Sequence, residues 1–406
     1  MNGADEILLE LALVVTGCAM LAWLAVVARQ PMIIAYIVCG ALLGPRGLGM
    51  IKAPEFMTAI SDLGVLLLLF LAGIVLHPDR LWRLFRSTTA VTLLNAGASF
   101  VVASVLTRLW GFAWGDAAFV GVACTFSSTI LVVKLLPTTT LHQEHMGGLA
   151  IGVLILQDLL AVALLVVMYS VSAVHHAPSG LSSLLERTFG LSGLSVLWVI
   201  PPAAVLLTGA ALLAEQVVLR RMMRRIGRFD EGIYLLALAW CLANATLWNW
   251  VGLSSVAGAF VAGVALARSP VSLFISEGLK PLRDFFLVLF FLMIGAQIEW
   301  DMSATLVVPA AVLAGALMLV KSVLFDRSFR RAGEPPRLAS ELGVRLGQLS
   351  EFGLIVAAAA YSFAIISHEA SHLIGLTVIL TMTVSAYVVV LRYPTPIGTR
   401  DALHRD

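Results

Sequence analysis

The sequence predicts an all-α polytopic membrane protein, and three observations carry that expectation. Hydrophobic residues make up 60% of the 406 residues and charged residues only 12%, whereas a soluble domain carries about 25% charged residues because its surface must meet water. The apolar residues fall in about 13 separate runs. The basic residues collect in alternate gaps between those runs instead of spreading evenly.

The runs cover 6–28, 31–45, 58–76, 87–110, 115–136, 146–172, 193–219, 232–250, 253–268, 284–298, 303–325, 341–365 and 370–391. Each is expected to be helical, since hydrocarbon offers backbone N–H and C=O groups no partner outside the segment itself. The second and several later runs are short for a crossing of roughly 20 residues. The first follows Asp5, Glu6 and Glu10 rather than a basic segment, so it does not read as a cleaved signal peptide.

Orientation follows from Lys and Arg. With the N-terminus outside, the gaps facing the cytoplasm hold Arg29, the Arg80–Arg86 group, the Arg220–Arg228 group, Arg268, Lys280 and Arg283, the Arg327–Arg337 group, and the tail residues Arg392, Arg400 and Arg405. The outer gaps hold only Arg46, Lys52, Arg108 and Arg187, with the acids Glu299 and Asp301. An odd number of crossings, N-terminus outside and C-terminus cytoplasmic, is expected in a bacterial inner (plasma) membrane. The Arg220–Arg228 run reads as a short cytoplasmic loop and not as a nucleic-acid site. His175 and His176 fall in a loop and carry no assignment. The sequence stops shortly after the last run, with no GxGxxG unit beyond it. Cys18, Cys39, Cys124 and Cys241 lie singly inside apolar runs, a spacing that supports neither a zinc site nor a disulfide framework. No cofactor is expected.

Ionisable residues at the bilayer centre are expensive, at least ~2.5–3.5 kcal/mol each, and three stand out. Asp158 lies eleven residues beyond Gly147, about 16 Å into a ~30 Å core at helical rise. It is either locked in a structural ion pair or binds a cation or a proton. Lys321 sits well inside the eleventh run; it either snorkels to the headgroups, partners Asp158, or caps the carbonyls of a broken helix. Glu351 lies in Gly347-Gln348-Leu349-Ser350-Glu351, a polar interruption of an apolar run. The fifth run has its own interruption at Thr125, Ser127, Ser128 and Thr129. Each cluster alone reads equally well as ordinary interhelical hydrogen bonding. Paired interruptions in the two halves of a chain, however, mark a transporter's midplane site, because unwound backbone survives at that depth only when buried in protein or lining a cavity.

These residues resemble the monovalent cation:proton antiporter-2 family, and within it the Kef-type potassium-efflux antiporters. The resemblance rests on residues 31–48 ending in Gly44-Pro45-Arg46-Gly47; on Leu63-Gly64 through Gly73 with Pro78 and Leu81-Trp82; on Ser127-Ser128-Thr129; and on Gln157-Asp158. Further along it rests on Gly252-Leu253-Ser254 with Gly258 and Gly263, on Phe290-Phe291 with Gly295, and on Gln348-Leu349-Ser350-Glu351-Phe352. Three departures stand beside it. Val75 occupies a position where the family often has Glu, Leu349-Ser350 replaces a common Gly-Gly, and the nucleotide-binding domain that gates the potassium-efflux members does not follow.

The resemblance implies a sodium/proton-antiporter-like fold with inverted repeats and two crossed broken helices, working as a homodimer by an elevator motion. Residues 1–86 and 173–300 would be scaffold and dimerisation helices. Residues 87–172 and 301–392 would be the two halves of the translocating core, followed by a cytoplasmic tail, 393–406. Asp158 would hold the monovalent cation or the proton, with Gln157, Thr125, Ser127, Ser128 and Thr129 around it. Lys321, Glu351 and Ser350 would supply supporting charge and polarity. The exchanged ions would be K⁺, or Na⁺, against H⁺, in a 1:1 electroneutral exchange, with a separate regulatory subunit possible. Three other readings remain at this point: a channel without proton coupling, a sensor derived from a transporter, and an intramembrane enzyme. The last needs a paired Asp, a Ser–His pair or a motif such as HExxH, and Glu144-His145 comes near none of these.

Overall fold

The computed structural model describes residues 3–28, 30–45, 47–51, 54–75, 78–129, 131–132, 141–176, 196–219, 221–223, 230–251, 253–267, 269–296 and 300–393. The helices run in chain order as α1 (Gly3–Val27), α2 (Met32–Leu43), α3 (Pro54–Val75), α4 (Pro78–Leu109), α5 (Trp114–Ala123), α6 (Leu141–His176) and α7 (Val196–Ala214). After a π-helical turn at Glu215–Leu219 come α8 (Asp230–Val251), α9 (Ser255–Leu266), α10 (Ser272–Ala296), α11 (Trp300–Arg331), α12 (Pro336–Arg345), α13 (Glu351–Ser362) and α14 (His368–Arg392).

Six of these contain stretches long and apolar enough to cross a membrane, and four shorter helices are also apolar. Large side chains such as Met20, Trp23 and Leu109 stand exposed at 64%, 66% and 77%. Apolar surface on that scale matches a protein whose solvent is lipid.

Several helices outrun the apolar runs that announced them. α10 begins at Ser272, not at 284, and carries Pro281 inside it. α4 includes Arg80, Arg83 and Arg86, which were expected in a loop, and His175 and His176 are the last residues of α6. Hydropathy marks where lipid ends; the backbone ladder ends only where a cap or a chain reversal interrupts it. Serines perform that interruption at several helix starts. Ser254 accepts from Ala257 N at 3.3 Å, Ser350 from Phe352 N at 3.1 Å and Ser367 from Ala370 N at 3.2 Å, each satisfying a backbone donor that the first turn leaves without a partner.

The chain divides into two compact units. One gathers Met1–Glu55, Trp82–Ala161 and Phe291–Asp406; the other gathers Phe56–Leu81 and Val162–Phe290. In the first, α4, α6, α11 and α12 share a buried cluster of Val91, Met146, Val153, Phe325, Phe329 and Leu342. Also there, α2 and the end of α10 approach so closely that a Cβ on Gly40 would strike the Leu292 carbonyl, and one on Gly295 the Ile37 carbonyl. Such backbone contact is how helices gain packing energy where no hydrophobic force draws them together. In the second unit, α3, α8, α9 and α10 bury Phe70, Ile74, Ala237, Ala262 and Ile275. All four cysteines are buried free thiols.

Candidate functional site

The stretches 115–136 and 341–365 are each interrupted in mid-course, at their Ser- and Gly-bearing clusters. After α5 the backbone turns at Cys124 and Thr125, runs irregularly through Ser128, and becomes helical again at Thr129. Ser128 begins that second half: its Oγ accepts from Leu131 N at 3.2 Å. After α12 the chain is irregular from Gly347 to Ser350, where Ser350 caps α13.

The two interruptions touch. Ser127 Oγ donates to the Leu346 carbonyl at 2.8 Å, and Gln348 Nε2 reaches the Ser128 carbonyl at 3.5 Å. α14 supports this contact from behind, with Ser385 Oγ donating to Gln348 Oε1 at 3.3 Å and Leu349 N donating to Thr381 Oγ1 at 3.3 Å. Backbone groups that lost their helical partners thus find new ones across the break.

Gln157 and Asp158 on α6 face the first break. Gln157 Oε1 accepts from Ser127 N at 2.8 Å, and its Nε2 lies 3.4 Å from the Thr125 carbonyl. Thr129 Oγ1 donates to Asp158 Oδ2 at 2.8 Å. The other carboxylate oxygen, Oδ1, is buried and accepts no hydrogen bond among the described residues. Thr125 takes part through its carbonyl alone, because its hydroxyl turns back to Val122 O at 2.8 Å.

Lys321 does not snorkel. Its side chain is fully buried, and Nζ donates to the carbonyls of Phe126 at 2.9 Å and Thr125 at 3.1 Å. The ammonium therefore sits on the negative end of the half-helix α5, and among the described residues it forms no ion pair with Asp158. Glu351 is buried in the first turn of α13, where the helix dipole favours a carboxylate. It is 3.4 Å from Ser350 Oγ.

Sequence reasoning missed three supports. Asn95 on α4 donates to the Lys321 carbonyl at 3.0 Å and accepts from Ser99 at 3.4 Å. On α14, Thr381 and Ser385 hold the second break. Both sets lie four residues apart in otherwise apolar helices, so a polar stripe at helical spacing was the available signal. The third is Arg345 at the end of α12, only 2% exposed and paired with Glu341 at 2.7 Å.

The transmembrane sodium/hydrogen exchanger profile matches residues 12–390. The chain is 29% identical over 361 residues to the glutathione-regulated potassium-efflux system protein KefC of Klebsiella pneumoniae, covering 88% of this chain and 56% of that protein. It is 27% identical over 359 residues to the iron transporter MagA of Paramagnetospirillum magneticum, covering 88% and 79%. The chain therefore spans little more than half the length of the KefC relative. The solved structure of the sodium proton antiporter MjNhaP1 from Methanocaldococcus jannaschii shares the fold, with a TM-score of 0.64, 14% identity, and coverage of 95% of this chain and 97% of that one.

Proposed function

The chain belongs to the sodium/hydrogen exchanger family, and from that premise we propose that it is a secondary antiporter exchanging a monovalent cation for a proton. One observation carries the reading: Asp158, mid-helix and beside two touching helix breaks, has one oxygen held by Thr129 and the other without a donor among the described residues. A carboxylate disposed this way can take a cation or a proton, but not both. That competition alone couples the two fluxes.

The exchange is 1:1 and electroneutral. Gln157 is neutral, and this stoichiometry requires Lys321 to keep its proton on the carbonyls of the first break throughout the cycle. Potassium is favoured over sodium, because Gln157-Asp158 is the Kef-type form and KefC carries potassium efflux in its name. The protein works as a homodimer with elevator-like movement of a core formed by 87–172 and 301–392, against scaffold residues 1–86 and 173–300. Its N-terminus faces outward from the inner membrane, and a separate regulatory subunit is compatible with this arrangement.

The test uses proteoliposomes holding a pH gradient, challenged in turn with K⁺, Na⁺ and Rb⁺. The wild type is expected to collapse the gradient on cation addition, and Asp158→Asn to lose that response. Full exchange by Asp158→Asn, or cation flux in the wild type that ignores the pH gradient, rules the proposal out; the latter result identifies a channel.

A further inference from the structure

Residues 368–372 read His-Glu-Ala-Ser-His, an HExxH sequence at the start of α14, some distance along the chain from every group assigned to exchange. On a helix, positions i and i+4 share a face, and here they do: His368 Nε2 and His372 Nε2 are 3.2 Å apart. Two nitrogens bound at ~2.0–2.1 Å to one tetrahedral ion stand about 3.3–3.4 Å apart. At present the two nitrogens share a hydrogen bond, with the rings edge-to-face at 86°; taking such an ion displaces the shared proton and turns one ring, while the nitrogens move apart by only a small fraction of an ångström. Imidazole is the ligand that suits zinc, copper and nickel.

The surroundings favour an ion as well. Both rings are half-buried and line a small open cavity of about 50 Å³, between α13 and α14 on one side and α2 and the end of α10 on the other. Tyr361 lies against His368 with ring centroids 4.8 Å apart, while Gly375, one turn further along α14, leaves the cavity floor without a side chain. The helix end that carries the pair is pinned. Asp116 of α5 accepts from Ser367 N at 2.9 Å and from Ser367 Oγ at 2.7 Å. That clamp fixes the first turn of α14 before any ion arrives, and such preorganisation lowers the ordering entropy that binding must overcome.

We propose that His368 and His372 form a binding site for a late first-row divalent cation, Zn²⁺ foremost, with water from the cavity filling its remaining positions. The site binds and does not hydrolyse. A catalytic zinc takes three protein ligands and one open position, and the described residues contain no third His, Cys, Asp or Glu to complete such a set. Glu369, the acid of the motif, is exposed.

The experiment uses the full chain in detergent, purified without a polyhistidine tag and dialysed against Zn²⁺. One Zn²⁺ per chain is expected above background. His368→Ala or His372→Ala should weaken it by on the order of tenfold or more. Zn²⁺ should also raise the melting temperature of the wild type but not of either variant, since an ion that binds only the folded state stabilises it. X-ray absorption of the zinc-loaded wild type, which needs no variant, should count two imidazole ligands. Zinc uptake unchanged in the double variant, or a wild-type spectrum without a pair of imidazoles, overturns the site.

Discussion

Thr129 Oγ1 donates a hydrogen bond to Asp158 Oδ2 at 2.8 Å, the one such bond the carboxylate receives among the described residues. The bond joins the first residue of the resumed half-helix to the acid on α6. It fixes which carboxylate oxygen remains available to an ion. Thr129→Val keeps the shape and removes the donor. Hydrogen bonds to charged groups contribute about 1.5–3 kcal/mol, so the half-saturating cation concentration should rise by roughly ten- to a hundredfold. Transport assays at varied cation concentration read this directly; an unchanged half-saturation would separate Thr129 from the site.

Lys321 holds the open end of α5 through two carbonyls. Lys321→Met takes the lysine donor from the buried Phe126 carbonyl and leaves the Thr125 carbonyl with Gln157 Nε2 alone, a loss of roughly 1–3 kcal/mol. Lys321→Gln restores one donor and should melt between the methionine variant and the wild type. Thermal unfolding in detergent gives the order. If Lys321→Met melts with the wild type, the ammonium is not what holds the break.

The contact between α2 and α10 allows no Cβ at Gly295, whereas a Cβ at Gly148 on α6 would meet nothing within 4 Å. Gly295→Ala should therefore lose about 1–3 kcal/mol or more through overpacking, with Gly148→Ala close to neutral. Paired melting curves decide it, and equal effects of the two substitutions would count against the close approach.

Electroneutral exchange should proceed at one rate whether the membrane potential is clamped at zero or at about 100 mV. A net charge carried across that potential contributes about 2.3 kcal/mol, which a flux assay detects easily. A steep voltage dependence would show that a second charge moves with the cycle, and Glu351, buried in the first turn of α13, is the first residue to substitute in that event.

Much of this was legible in the amino acids alone. Asp158 announced itself because a charge amid 20 apolar residues contradicts its surroundings, and the two breaks because Ser, Thr and Gly interrupt apolar runs at mid-depth. The pair His368 and His372 is equally readable as HExxH, whereas Glu144-His145 matches no such motif. His145 in fact pairs with Glu334 at 3.0 Å.

By itself, then, the sequence determined which segments enter lipid and which groups are out of place there, since hydropathy and charge are properties of single residues and their neighbours. Only the tertiary structure decided what those groups meet. Lys321 reaches carbonyls 195 and 196 positions away, Ser127 a carbonyl 219 positions away, and Asn95 one 226 positions away. Such meetings depend on how each helix is rotated and shifted against the next, which side-chain packing and the glycine contacts set, and no local pattern encodes that rotation.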